Sequence, residues 1–160
     1  MQVTEAIQAR RAIKHFDPEH KLTAAEETEL LETTILAPTS FNIQHWRFVI
    51  LRDPELRAKI RKDFGNDQAQ MTDASLLVLF TADMKAWQKN PERYWANAPK
   101  EVADLLVGWM GPFHEGREWL QRDEAQRSIG LAMQTLMLAA KGMGYDSCPC
   151  LLYTSDAADD

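Results

Sequence analysis

The sequence predicts an α+β domain, and three observations carry that prediction. Two short apolar runs, Arg47-Phe48-Val49-Ile50-Leu51 and residues 74–80, are strand-like. Several segments open with helix-capping residues and continue at helical spacing. A longer segment, residues 127–143, spreads apolar side chains around most of a helix circumference. The 160 residues suffice for one domain with a core of its own.

The N-terminal segment reads as a helix that ends in three cations, Arg10, Arg11 and Lys14. Thr23-Ala24-Ala25-Glu26 is a capping box, with the Thr hydroxyl on a free amide and Glu reaching back. The helix it opens is expected to bury Leu30, Leu31 and Ile35 on one face and to stop at Pro38. Asp53-Pro54 starts another, with Asp as N-cap and Pro at the first position. Its Leu56, Ile60 and Phe64 form one apolar stripe. Ala74 to Phe80, an unbroken apolar run, is expected to be a strand covered on both faces. Asn90-Pro91-Glu92 opens a further helix by the same capping logic. A helix apolar on nearly all sides, as over residues 127–143, is buried on all sides. In a domain this small, that suggests cover from a second copy of the chain; a central core helix of a monomer is the alternative.

A net charge of −6 disfavours a general nucleic-acid binder and docking on an anionic membrane. Met1-Gln2-Val3-Thr4-Glu5 has neither the basic flank nor the apolar stretch of a secretory signal. Residues 129–140, the most apolar stretch, fall short of the roughly 20 residues a bilayer span needs. Cys148 and Cys150 are too close to suggest a disulfide scaffold, so a cytoplasmic protein is expected. His15, His20, His45 and His114 show no metal-ligand spacing. No GxGxxG, P-loop or CxxC occurs. Trp87, Tyr94, Trp95, Trp109 and Trp119 read as packing residues, as does Trp46.

Two segments carry chemistry. Residues 37–48 gather hydroxyls (Thr39, Ser40), carboxamides (Asn42, Gln44) and aromatic faces (Phe41, Trp46) in one loop. Neutral donors and acceptors beside flat apolar surfaces suit a flat heterocycle with polar edges. Arg10, Arg11 and Lys14 offer planar forks and a point charge for phosphate oxygens. Alone, the cations would read as a solvated helix end, and the loop as a connection rich in turn formers. Together they favour a binding site.

These segments, with Asp73-Ala74-Ser75 and Gly144-Tyr145-Asp146-Ser147-Cys148-Pro149, resemble the nitroreductase family of FMN-dependent NAD(P)H oxidoreductases. The resemblance runs from about Val3 to about Pro149. It implies a small, mainly antiparallel sheet flanked by helices and an intertwined homodimer. It implies that Arg10 binds the FMN phosphate, that Arg11 and Ala12 offer backbone amides, and that Lys14 is the cation near flavin N1. Ala12 stands where a hydroxyl residue is common. Pro38, Thr39, Ser40 and Asn42 match the loop that reaches the flavin from the partner subunit, and Gln44 a carboxamide in that loop. Phe41 would wall the substrate pocket, Gln68 and Gln70 would lie near the pyrimidine edge, and Pro149 would pass over the flavin beside N5. The flavin carries the chemistry, so no side chain is expected to act as nucleophile or general acid. NAD(P)H would reduce FMN, leave, and be replaced by a nitroaromatic, quinone or related acceptor. Enone reduction, dehalogenation or an inactive fragment without flavin are the alternatives. The family-like domain is expected over residues 1–149. Cys150 to Asp159 resembles the read-through of a transposon-end sequencing adapter, so residues 150–160 are expected to be an artefactual tail on an incomplete domain.

Overall fold

The structure, a computed structural model, describes residues 1–150. All of the expected tail except Cys150 lies outside the described residues. The elements in order are α1 (Val3–Ala9), α2 (Ala24–Thr34), β1 (Trp46–Ile50), α3 (Pro54–Asp63), α4 (Gln70–Asp73), β2 (Val78–Ala82), α5 (Lys100–His114) and α6 (Glu118–Gly142), with three single turns of 3₁₀ helix between them. The strands pair and run antiparallel. The Leu51 N–H donates to the Leu77 carbonyl (2.9 Å) at one end, and the Asp83 N–H to the His45 carbonyl (2.8 Å) at the other. This is the α+β class expected. Among the described residues, no helix is long and apolar enough to cross a membrane.

The chain divides into two compact units. One comprises Met1–Leu30, Ile50–Leu79 and the described residues from Met137 onward; the other comprises Leu31–Val49 and Phe80–Leu136. In the first, the Thr23 box forms as the sequence predicts: the Thr23 N–H reaches Glu26 (2.8 Å) and the Glu26 N–H reaches Thr23 Oγ1 (3.2 Å). Tyr145 donates its hydroxyl to the same Glu26 carboxylate (2.5 Å). Led by that bond and those from Thr23, the Glu26 pKa falls to about 2. Asp53 caps α3 by accepting from the Glu55 N–H (2.9 Å). The second unit holds two apolar clusters. Ile43, Ala86, Trp87, Tyr94 and Met110 form one, and Ala37, Trp46 and Ala132 the other.

Several expected faces differ. On α2, Leu30 is buried but Ile35 lies past the helix end and is 46% exposed. The helix ends at Thr34 rather than running to Pro38. On α3, Leu56 and Phe64 are exposed, and the buried residue is Arg57. Its Nε donates to the Met71 carbonyl (2.8 Å) and its Nη2 to the Ala74 carbonyl (2.5 Å), so polar anchoring displaces the apolar stripe. The second strand begins at Val78, not Ala74. Arg57 takes the Ala74 carbonyl, and the Ser75 hydroxyl donates to the His20 carbonyl (2.7 Å), so this backbone is pinned outside the ladder. Its residues alternate between half-buried and exposed, so one face rather than two is covered within the chain. The turn opened by Asn90 is 3₁₀, with Asn90 left-handed (φ 51°) and no side-chain cap. Trp109 and Trp119 are exposed, against the expectation of packing. Finally, α6 starts at Glu118, and within the chain it is buried along one side, at Ala125, Ser128, Ala132 and Ala140. Leu131 is 45% exposed, so all-round burial is not achieved by this chain alone.

Candidate functional site

The candidate residues fall into two clusters, one in each unit. The first starts at the end of α1. Arg10 is the C-cap residue, its N–H donating to the Ala6 carbonyl (2.9 Å), so the helix backbone ends at the first of the three cations. Its half-buried guanidinium has no hydrogen bond or ion pair among the described residues. Arg11 behaves differently: its Nη1 folds back onto the carbonyls of Gln8 (2.8 Å) and Arg10 (2.7 Å). There it meets the negative end of the helix dipole. The solvated-end reading therefore describes the Arg11 side chain.

Ala12 bridges in parallel to Ser147, and the Ile13 N–H donates to the Ser147 carbonyl (3.1 Å). This ties the cationic segment to the Gly144–Pro149 turn, with exposed Pro149 two residues beyond the bridge. Lys14 Nζ donates to Gln68 Oε1 (3.4 Å), and Gln70 Nε2 donates to the same oxygen (2.5 Å). Residues singled out from two distant parts of the sequence thus meet. Buried Gln70 opens α4, and Arg57 staples that helix through the Met71 carbonyl. The turn before it is tight: Asn66 and Asp67 are left-handed (φ 47° and 55°). A Cβ on Gly65 would meet the Arg61 carbonyl at 3.0 Å, so a larger residue there would have to push the turn apart by a few tenths of an ångström.

The second cluster is the loop after α2. Phe41, Asn42 and Gln44 all have positive φ, at 51°, 54° and 53°. Left-handed backbone at non-glycine residues costs roughly 1–2 kcal/mol each and collects at functional sites. One local and one long-range bond hold the loop in this form. The Gln44 N–H donates to Thr39 Oγ1 (3.0 Å), and Asn42 Nδ2 donates to the Tyr94 carbonyl (2.9 Å). Phe41 packs on Phe113 (5.2 Å between centroids) and on the edge of His114 (5.6 Å). Thr39 and the Asn42 amide nitrogen are therefore spent on the loop itself. The hydroxyl of Ser40 and the exposed carboxamide of Gln44 make no hydrogen bond among the described residues. Pro38 is exposed. Trp46 is 6% exposed and belongs to the core, as expected.

Two buried histidines beneath the loop carried no signal in the sequence. Ser128 Oγ donates to the Glu124 carbonyl (2.7 Å), so it accepts from His45 Nδ1 (3.0 Å). His114 Nδ1 donates to the Met110 carbonyl (2.8 Å), and its ring stacks on Trp87 (5.4 Å). Both Nε2 atoms are buried without a hydrogen-bond partner among the described residues. Burial, followed by the field of His114, pushes the His45 pKa down to about 4. Both rings pack in the apolar interior of this unit.

Comparison with known proteins gives the family. The Nitroreductase family matches residues 7–158. Protein DrgA of Synechocystis sp. is 65% identical over 151 residues, which cover 94% of this chain and 71% of that protein. A Bacillus subtilis protein named "Putative NAD(P)H nitroreductase MhqN" is 31% identical over 160 residues, covering 96% of this chain and 77% of its own. A crystal structure from Exiguobacterium sibiricum, described as a putative nitroreductase in complex with FMN, superposes with a TM-score of 0.87 at 29% identity, covering 98% of this chain and 77% of that one. The chain belongs to the nitroreductase family.

Proposed function

We propose that the protein is an FMN-dependent NAD(P)H oxidoreductase reducing nitroaromatics, quinones or related acceptors, and that it works as a homodimer. The observation that carries the reading is the Lys14–Gln68–Gln70 network, together with an Arg10 guanidinium that has no hydrogen bond or ion pair among the described residues. These donors suit the group. An Arg without a protein partner is available to a phosphate, and a Lys held by a carboxamide is fixed in place. Arg11 and Ala12 contribute backbone N–H groups rather than side chains; the Arg11 side chain is already committed to α1.

The loop of one protomer completes the cation cluster of the other. Ser40 and Gln44 supply the uncommitted hydroxyl and carboxamide, matching the alternating donors and acceptors on a flavin's polar edge. Thr39 and Asn42 hold the loop in its left-handed form, and Phe41 with Phe113 forms the apolar wall. FMN, when bound, supplies hydride acceptance and donation. The side chains bind it, orient it and set its potential; Lys14 favours the reduced, anionic form. NAD(P)H and the acceptor take turns at one open pocket.

The test is direct. Protein incubated with FMN and desalted is expected to keep a yellow flavin spectrum. It should bleach with NADH or NADPH and recover when a quinone or nitroaromatic is added. Protein that retains no flavin, or retains it without bleaching, would overturn the proposal.

A further inference from the structure

A cavity of about 340 Å³ in the first unit uses none of the residues assigned above. It lies where β1 ends, β2 begins and α3 starts. That volume sits at the low end of the roughly 300–1,000 Å³ typical of small-molecule sites. Lys21, Arg52 and Arg57 line it, with the hydroxyl residues Thr72 and Ser75, and no Asp or Glu does. The whole chain carries 24 acidic residues against 18 basic ones, so three cations without an acid run against its composition.

The charges cancel only in part. Arg52 is ion-paired with Glu27. Lys21 Nζ donates to the Pro18 carbonyl (2.5 Å) and has no carboxylate partner among the described residues. Arg57 is 9% exposed and is held by two backbone carbonyls rather than by an acid. Burial lowers its pKa, and only the field of Asp73 opposes that. A buried charge held without an acid is costly, and an anion entering the cavity would relieve the cost.

We infer that this cavity is a binding site for a small organic carboxylate. Arg57 Nη1, which makes no hydrogen bond among the described residues, and the remaining protons of Lys21 Nζ are the donors left for a carboxylate. Glu27 already neutralises Arg52, and Asp73 offsets part of Arg57, so the remaining charge suits a monoanion better than a phosphate dianion. The strand ends supply the apolar wall for the ligand's body. The inference is independent of the flavin reading.

Benzoate titrated into ¹⁵N-labelled protein tests it, with benzamide as the uncharged control of the same shape and inorganic phosphate as the second anion. Saturable benzoate shifts are expected at the amides of Thr72, Ser75 and Leu77, with none from benzamide and no saturation by phosphate. Lys21→Gln combined with Arg52→Gln should weaken benzoate at least tenfold. Both residues are on the surface side, so the variant avoids disturbing the buried Arg57. The site would be overturned by absent benzoate binding, by equal binding of benzamide, or by tighter saturation with phosphate. Shifts centred on Lys14, Gln68 and Gln70, or binding unchanged in the double variant, would overturn it as well.

Discussion

At the scale of single residues, Arg10, Arg11 and Lys14 look interchangeable in the sequence, yet the structure gives them three different situations. Arg11 closes on its own helix, Lys14 is held by Gln68, and Arg10 has no side-chain partner among the described residues. Arg10→Ala is therefore expected to weaken FMN about tenfold to over a hundredfold, the roughly 1.5–3 kcal/mol of a charge-assisted contact. Lys14→Ala should lower the flavin potential more than it lowers affinity. Titration and potentiometry separate the two; identical effects would refute the division. His45 gives a second prediction. Its folded pKa, about 4, lies below the ordinary 6.5 because burial disfavours the charged ring. The unfolded chain then binds the extra proton between those values, so this stability is full above pH 6.5 and is lost as pH falls toward 4. The loss amounts to roughly 3 kcal/mol. Chemical denaturation at pH 7 and pH 5 should show the decline, and His45→Phe should flatten it.

At the scale of elements, the loop after α2 trades stability for shape. Gln44 is exposed and left-handed (φ 53°), a conformation glycine adopts without penalty. Gln44→Gly is expected to stabilise the protein by about 1 kcal/mol, roughly 2–4 °C in Tm for a chain of this size. The same change should weaken flavin binding by removing the uncommitted carboxamide. A variant that gains stability and keeps full FMN affinity would show that Gln44 serves the turn alone. The capping box of α2 is a purely structural counterpart. Tyr145 and Thr23 share the Glu26 carboxylate, so Thr23→Ala should cost about 0.5–2 kcal/mol without changing bound flavin.

At the scale of the whole molecule, α6 argues for a second protomer. Its Ala125, Ser128, Ala132 and Ala140 are buried within the chain, while Leu131 is not. Covering that leucine would recover apolar burial at roughly 25 cal/mol per Å². Leu131→Asp is expected to shift a dimer toward monomer in sedimentation velocity and to reduce flavin content with it. Dimer loss without flavin loss would mean that the loop and the cations do not come from different protomers.

Local chemistry was legible in the sequence because it depends on neighbours in the chain. The Thr23 box and the Asp53 cap need only residues two or three positions apart. The two segments that carry the family likeness were legible for the same reason. What needed the tertiary structure was everything decided by distant partners. Arg57 claims the Met71 and Ala74 carbonyls, so a polar residue replaces the expected apolar face of α3 and the second strand starts four residues late. Lys14 and Gln68 meet across 54 residues, and His45 and Ser128 across 83. Periodicity records which side chains prefer burial. It does not record which backbone carbonyl a buried arginine will satisfy, because that choice is made only when the packed elements bring donor and acceptor together.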